Sequence, residues 1–136
     1  MKMENNYLTE VFTTKRSKEN LVHALAKLAY ADNQVDKTEI QIVQEIALQL
    51  GLGQEIPSQQ EVKEIKILFD NREQEISFFK EAIRLAIVDE NYSDIEREFL
   101  KSLSESFGWS KEDFSKLEEE QESLHWLKPT QTIELD

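Results

Sequence analysis

AYADNQVDKTEIQIVQEIALQLGL, Ala29 to Leu52, reads as the end of one helix, an acidic corner, a second amphipathic helix and a glycine stop. The plan returns fifty-seven residues later as AIVDENYSDIEREFLKSLSESFGW, Ala86 to Trp109. Aligned without a gap, Asp32 meets Asp89, Glu39 meets Glu96 and Gly51 meets Gly108. Ile42, Val43, Ile46 and Leu50 meet Phe99, Leu100, Leu103 and Phe107. Both copies thus carry apolar stripes at i, i+3/i+4 and i+7/i+8, the spacing of one buried helix face. Two copies are too few for an open solenoid. The expected fold is all-α, a single compact bundle of about six to seven helices with an internal two-fold repeat of helix pairs.

Working outward, the first helix of copy one is predicted over about 18–31, burying Leu21, Val22, Leu25, Leu28 and Ala29, and the second over about 37–50. Copy two predicts the equivalent pair over about 72–88 and 94–107. Between the copies QQEVKEIKILFD places Val62, Ile65, Leu68 and Phe69 on one helical face. After them KEDFSKLEEEQESLHWL predicts a last helix that buries Phe114, Leu117 and Leu124, with Trp126 a further candidate. Asp36-x-x-Glu39, Ser58-x-x-Glu61 and Ser93-x-x-Glu96 have capping-box spacing, and Asn71-x-x-Gln74 and Ser110-x-x-Asp113 are looser versions. No period-two strand pattern persists. The domain plan is an N-terminal segment 1–17, a helical domain 18–127 with copies at about 18–52 and 72–109, and a disordered tail 128–136.

Composition narrows the function classes. Sixteen basic against twenty-eight acidic residues leave a net charge of -12, which repels phosphate backbones and anionic lipid, so no nucleic-acid partner is expected. Lys15-Arg16-Ser17-Lys18 is the exception, and it reads as a solvated helix entry. The absence of Cys excludes disulfides, thiolate catalysis and thiolate zinc sites. No leader pattern or long apolar run is visible, so a cytoplasmic protein without membrane insertion is expected. Nine of the twelve aromatic residues lie from Phe69 onward, and any surplus over the core would suit a partner protein or a homodimer.

The acidic corners are the candidate sites. An EF-hand loop starting at Asp32 would need Gly at its sixth position and a bidentate Glu at its twelfth, where Lys37 and Val43 stand. Starting at Asp89, those positions hold Asp94 and Leu100. The EF-hand is out. A looser oxygen-ligand site for a divalent cation, calcium or magnesium, remains open, with Asp32, Asp36 and Glu39 in copy one and Asp89, Asp94 and Glu96 in copy two. Glu90 adds a further carboxylate. Should the two corners share one end of the bundle, their mutual repulsion would favour a bound cation. The competing reading is structural: Asp36 and Glu39 act as caps, and Asp32 and Asp89 tie down corner amides. His23 and His125 have no metal-binding spacing, no serine sits in a nucleophile elbow, and there is no glycine-rich phosphate loop. No enzyme is expected.

Ala29-Tyr-Ala-Asp-Asn-Gln-Val-Asp-Lys-Thr-Glu39, stopped at Gly51, and Ala86-Ile-Val-Asp-Glu-Asn-Tyr-Ser-Asp-Ile-Glu96, stopped at Gly108, together resemble the tellurite-resistance TerB family over about residues 18–121. That family's domain also occurs in a membrane-anchored DnaJ-type co-chaperone. Each family copy carries roughly A-x-A-D-G-x-apolar-x-x-x-E, and here Asn33 and Glu90 stand at the Gly position. The resemblance implies a helical, non-enzymatic protein of bacterial tellurite and chemical-stress responses, with a cation-associated or scaffolding role.

Overall fold

The computed structural model describes residues 6–31, 37–53, 55–88 and 92–126. These residues form seven α-helices and no strand: α1 (Asn6–Val11), α2 (Lys15–Ala29), α3 (Lys37–Gln49), α4 (Gln59–Lys63), α5 (Arg72–Val88), α6 (Asp94–Ser106) and α7 (Lys111–Trp126). The all-α expectation holds. So does the repeat at the level of elements, because α5 and α6 each begin fifty-seven residues after α2 and α3.

Side chains set these boundaries. Thr14 caps α2 by accepting from the Ser17 N–H at 3.0 Å, and Ser17 Oγ accepts from the Thr14 N–H at 3.0 Å. That reciprocal box starts α2 three residues earlier than apolar spacing predicted and puts Lys15, Arg16 and Lys18 in its first turn. Ser58 and Glu61 form the predicted box at α4, and Ser93 and Glu96 the one at α6. At α5, Asn71 Oδ1 accepts from the Gln74 N–H at 2.9 Å, while Gln74 Oε1 accepts from the Asp70 N–H. At α7, Ser110 Oγ accepts from the Asp113 N–H at 3.0 Å. The Asp36 half of the first predicted box lies outside the described residues.

Two stops match as closely. The Leu52 N–H returns to Ala47 O and the Gly51 N–H to Leu48 O, and Trp109 and Gly108 do the same to Ser104 and Glu105. These paired bonds are the Schellman ending, which needs a left-handed residue one place beyond the helix cap. Gly51 and Gly108 supply it at φ +84° and +90°.

The chain divides into two compact units, Met1–Phe78 and Phe79–Asp136. In the first, α2 packs against α3 and α4. Its buried apolar residues include Leu21, Leu25 and Leu28 of α2, Val43 and Ile46 of α3, and Val62 of α4. Phe12, just beyond α1, meets the edge of Phe69 at 6.0 Å, and Phe69 lies 5.3 Å from Phe78. In the second unit α6 packs against α7. Phe79 is wholly buried there, its ring 5.0 Å from Trp109, 5.9 Å from Phe114 and 6.1 Å from Phe107. Offset edge-on rings at these distances are favourable, and their burial anchors the unit.

Two expectations need correction. The helix predicted across 59–70 ends at Lys63, and 65–69 have no regular structure. Lys27 Nζ donates to Ile65 O at 2.7 Å, so this carbonyl serves a side chain of α2, and Leu68 is exposed while Ile67 is buried. On α7, Leu124 is 61% exposed. The buried face continues from Phe114 and Leu117 through Glu118 and Gln121 instead.

Candidate functional site

The two acidic corners are the elbows α2–α3 and α5–α6. At the first, the Tyr30 N–H bonds Ala26 O at 3.1 Å and the Ala31 N–H bonds Leu28 O at 3.0 Å, closing α2. Asp32 and Asp36 follow, outside the described residues. Glu39, third residue of α3, is 2% exposed. At the second elbow Asp89 and Glu90 likewise lie outside the described residues, as does the expectation that both corners share one surface. Asp94 opens α6 and faces solvent. Glu96 is 2% exposed. Its Oε1 accepts from the Ser93 N–H at 3.2 Å, and its own N–H donates to Ser93 Oγ at 3.1 Å. Glu96 therefore spends one carboxylate oxygen on the helix start. Among the described residues no group of three or more Asp, Glu or His is placed to hold a metal ion.

A cluster beside the second elbow escaped the sequence reading. Glu118 of α7, 5% exposed, accepts from Tyr92 Oη at 2.7 Å through Oε2. The same oxygen accepts from Arg97 Nε at 2.7 Å, and Oε1 accepts from Arg97 Nη2 at 3.0 Å. This is a two-pronged guanidinium–carboxylate pair with a phenol added. Burial, then the hydrogen bond to Glu118, pushes the Tyr92 hydroxyl far above the ordinary tyrosine range. The hydrogen bond to Glu118, then its charge, raises Arg97. No local spacing signals such a cluster, because Glu118 lies twenty-one residues from Arg97 and twenty-six from Tyr92.

The first unit also holds a half-open groove of about 520 Å³. Val22, Ala47, Leu50, Leu52 and Pro57 give it apolar walls. Lys15 and Lys18 balance Glu19 and Glu55 around it, with the half-buried His23 of α2 alongside. Its residues are the face of α2 and the Schellman ending of α3, so the stop at Gly51 shapes it.

Comparison with known proteins finds a likeness to one family over part of the chain. The family model described as tellurite resistance protein TerB matches residues 5–61. Residues 5–61 are TerB-like. That TerB-like stretch contains α1 to α3, the whole first elbow and most of α4. It starts earlier and ends earlier than the resemblance read from the two motifs, which ran from about 18 to 121. The second copy, where Glu90 replaces the Gly of the TerB pattern, lies beyond it. Neither curated proteins nor solved structures give a match to the chain. No helix among the described residues is long and apolar enough to cross a membrane.

Proposed function

We propose that this chain is a non-catalytic, cytoplasmic, TerB-like binding protein of bacterial tellurite and chemical-stress physiology. Its elbows present carboxylates to a divalent cation, calcium or magnesium, or to a basic partner. One observation carries the reading: the helices that flank the two elbows begin fifty-seven residues apart, α3 and α6 end on matching glycines, and each holds a buried glutamate at its third position. Glu96 serves the start of α6 and Glu39 is buried, which favours the aspartates as the ligand contacts. Asp94 faces solvent, and Asp32, Asp36 and Asp89 complete the set. Hard cations favour such oxygen donors. Calorimetry of the full chain with calcium and with magnesium tests this. Binding heat should be present and should weaken in Asp32→Asn/Asp89→Asn without loss of helical circular dichroism. No heat in the parent protein overturns the cation version.

The groove of the first unit favours a second reading, a co-chaperone-like interaction scaffold with no metal role. Under it, partner capture survives chelation and fails when Leu52→Asp places a charge in the groove wall. Capture that is lost on chelation counts against it.

A further inference from the structure

Ile65-Lys-Ile-Leu-Phe69 breaks the helical run of the first unit between α4 and α5. It is apolar apart from Lys66 and holds neither Gly nor Pro, a composition that suits a strand. Burial alternates along it: Ile67 is buried, Ile65 and Phe69 are half-buried, and Lys66, Leu68 and Asp70 are exposed. That period of two belongs to extended chain. Both ends are held, because Lys27 Nζ donates to Ile65 O at 2.7 Å and the Asp70 N–H donates to Gln74 Oε1 at 2.9 Å. Between these ties, no backbone–backbone hydrogen bond among the described residues uses the N–H or C=O of Lys66, Ile67 or Leu68. Leu68 is also 47% exposed. An anchored, extended stretch with open backbone groups is a template for pairing with another strand.

We propose that this stretch is a docking edge for a second copy of the chain, which adds its own residues 65–70 as an antiparallel strand. The side chains choose the register. Opposed residues of an antiparallel pair share one face, so exposed Lys66, Leu68 and Asp70 must meet one another and not Ile67 or Phe69. A two-fold axis at Lys66 sets lysine on lysine, and an axis at Ile67 sets Glu64 on the partner's Asp70. An axis at Leu68 sets Leu68 on the partner's Leu68 and Lys66 on the partner's Asp70, with the symmetry-related ion pair on the other side. A lysine on an edge ordinarily discourages pairing. Here it selects one partner in one register. The Leu68 N–H and C=O then exchange bonds with the partner's Leu68, and the Lys66 N–H donates to the backbone carbonyl of the partner's Asp70. The Asp70 N–H keeps its bond to Gln74. So short a contact makes a weak, reversible dimer.

Sedimentation of the full chain over a wide concentration range tests the dimer. The parent should pass from monomer to dimer as concentration rises. Lys66→Asp and Asp70→Lys should each weaken association about tenfold, because both symmetry-related pairs turn repulsive. The double variant Lys66→Asp/Asp70→Lys should restore it. Register has its own readout, since the chain contains no Cys. Under mild oxidation Leu68→Cys should cross-link, because opposed residues lie about 5 Å apart, within disulfide reach. Lys66→Cys, also exposed, should not, because its two copies lie about 14 Å apart in this register. Leu68→Cys serves as well if a charge variant fails to fold. A parent that stays monomeric, equal cross-linking at both positions, or a dimer indifferent to Lys66 and Asp70 overturns the proposal. None of these readouts needs a cation, so the outcome stands apart from the function proposed above.

Discussion

Glu39 and Glu96 occupy the same place in helices that begin fifty-seven residues apart, and each is 2% exposed. At Glu96 the carboxylate reaches back to the Ser93 N–H while the Ser93 hydroxyl accepts from the Glu96 N–H, a reciprocal capping box. The Ser93–Glu96 pair should therefore behave as one unit. Ser93→Ala and Glu96→Ala should each cost about 1 kcal/mol in urea unfolding. Because each removes the same reciprocal box, the double variant should cost less than the sum. Strict additivity would mean that the two bonds act separately.

Gly51 and Gly108 are needed for backbone shape and not for space, since a Cβ built at either meets nothing within 4 Å. Gly51→Ala and Gly108→Ala should each destabilise by about 1–2 kcal/mol, the cost of a left-handed L-residue. Asn tolerates this region better, so Gly51→Asn and Gly108→Asn should lose distinctly less. Denaturation midpoints with unchanged slopes check the order. Equal losses for Ala and Asn would point to a cause other than backbone conformation.

Tyr92 links the second elbow to alkaline pH. Its hydroxyl is raised above the ordinary value of 10.0 by burial and by Glu118. A group whose folded pKa is raised contributes stability that is complete below the unfolded pKa and is lost as pH rises through the folded one. The parent should lose stability from about pH 10 upward, and Tyr92→Phe should lose less over the same window. Denaturant midpoints at about pH 9 and 11 give the comparison. Identical losses would detach Tyr92 from the effect.

Arg97 is half exposed while Glu118 is buried, which makes their pair asymmetric. Arg97→Ala leaves the Glu118 carboxylate its hydrogen bond from Tyr92, and solvent reaching the site limits the loss. The expected cost is about 1–2 kcal/mol, between a surface pair and a buried one. Thermal unfolding reads it, and a loss below about 0.3 kcal/mol would make the pair a surface ornament.

Phe79 joins three aromatic neighbours at the centre of the second unit. Phe79→Ala should cost about 3–5 kcal/mol, and Phe79→Leu much less. The fluorescence of Trp109 should shift red in the Ala variant as water reaches its ring. A native-like spectrum and midpoint would remove Phe79 from the core.

What was legible in the sequence was local. Caps at Ser58, Asn71, Ser93 and Ser110, the stops at Gly51 and Gly108, and the apolar stripes of α2 and α3 depend on neighbours within a few residues, so spacing alone reveals them. Thr14–Ser17 was missed because Ser is a weaker partner than Glu at that spacing. Tertiary structure decided the rest. It alone ended α4 early, since Lys27 must cross from another helix to take the Ile65 carbonyl. It left Leu124 in solvent and buried Gln121, because packing against a neighbour, not hydropathy, selects the face of α7. It also joined Tyr92, Arg97 and Glu118, whose bonds are stable only where burial lowers the competition from water, a condition no linear spacing encodes.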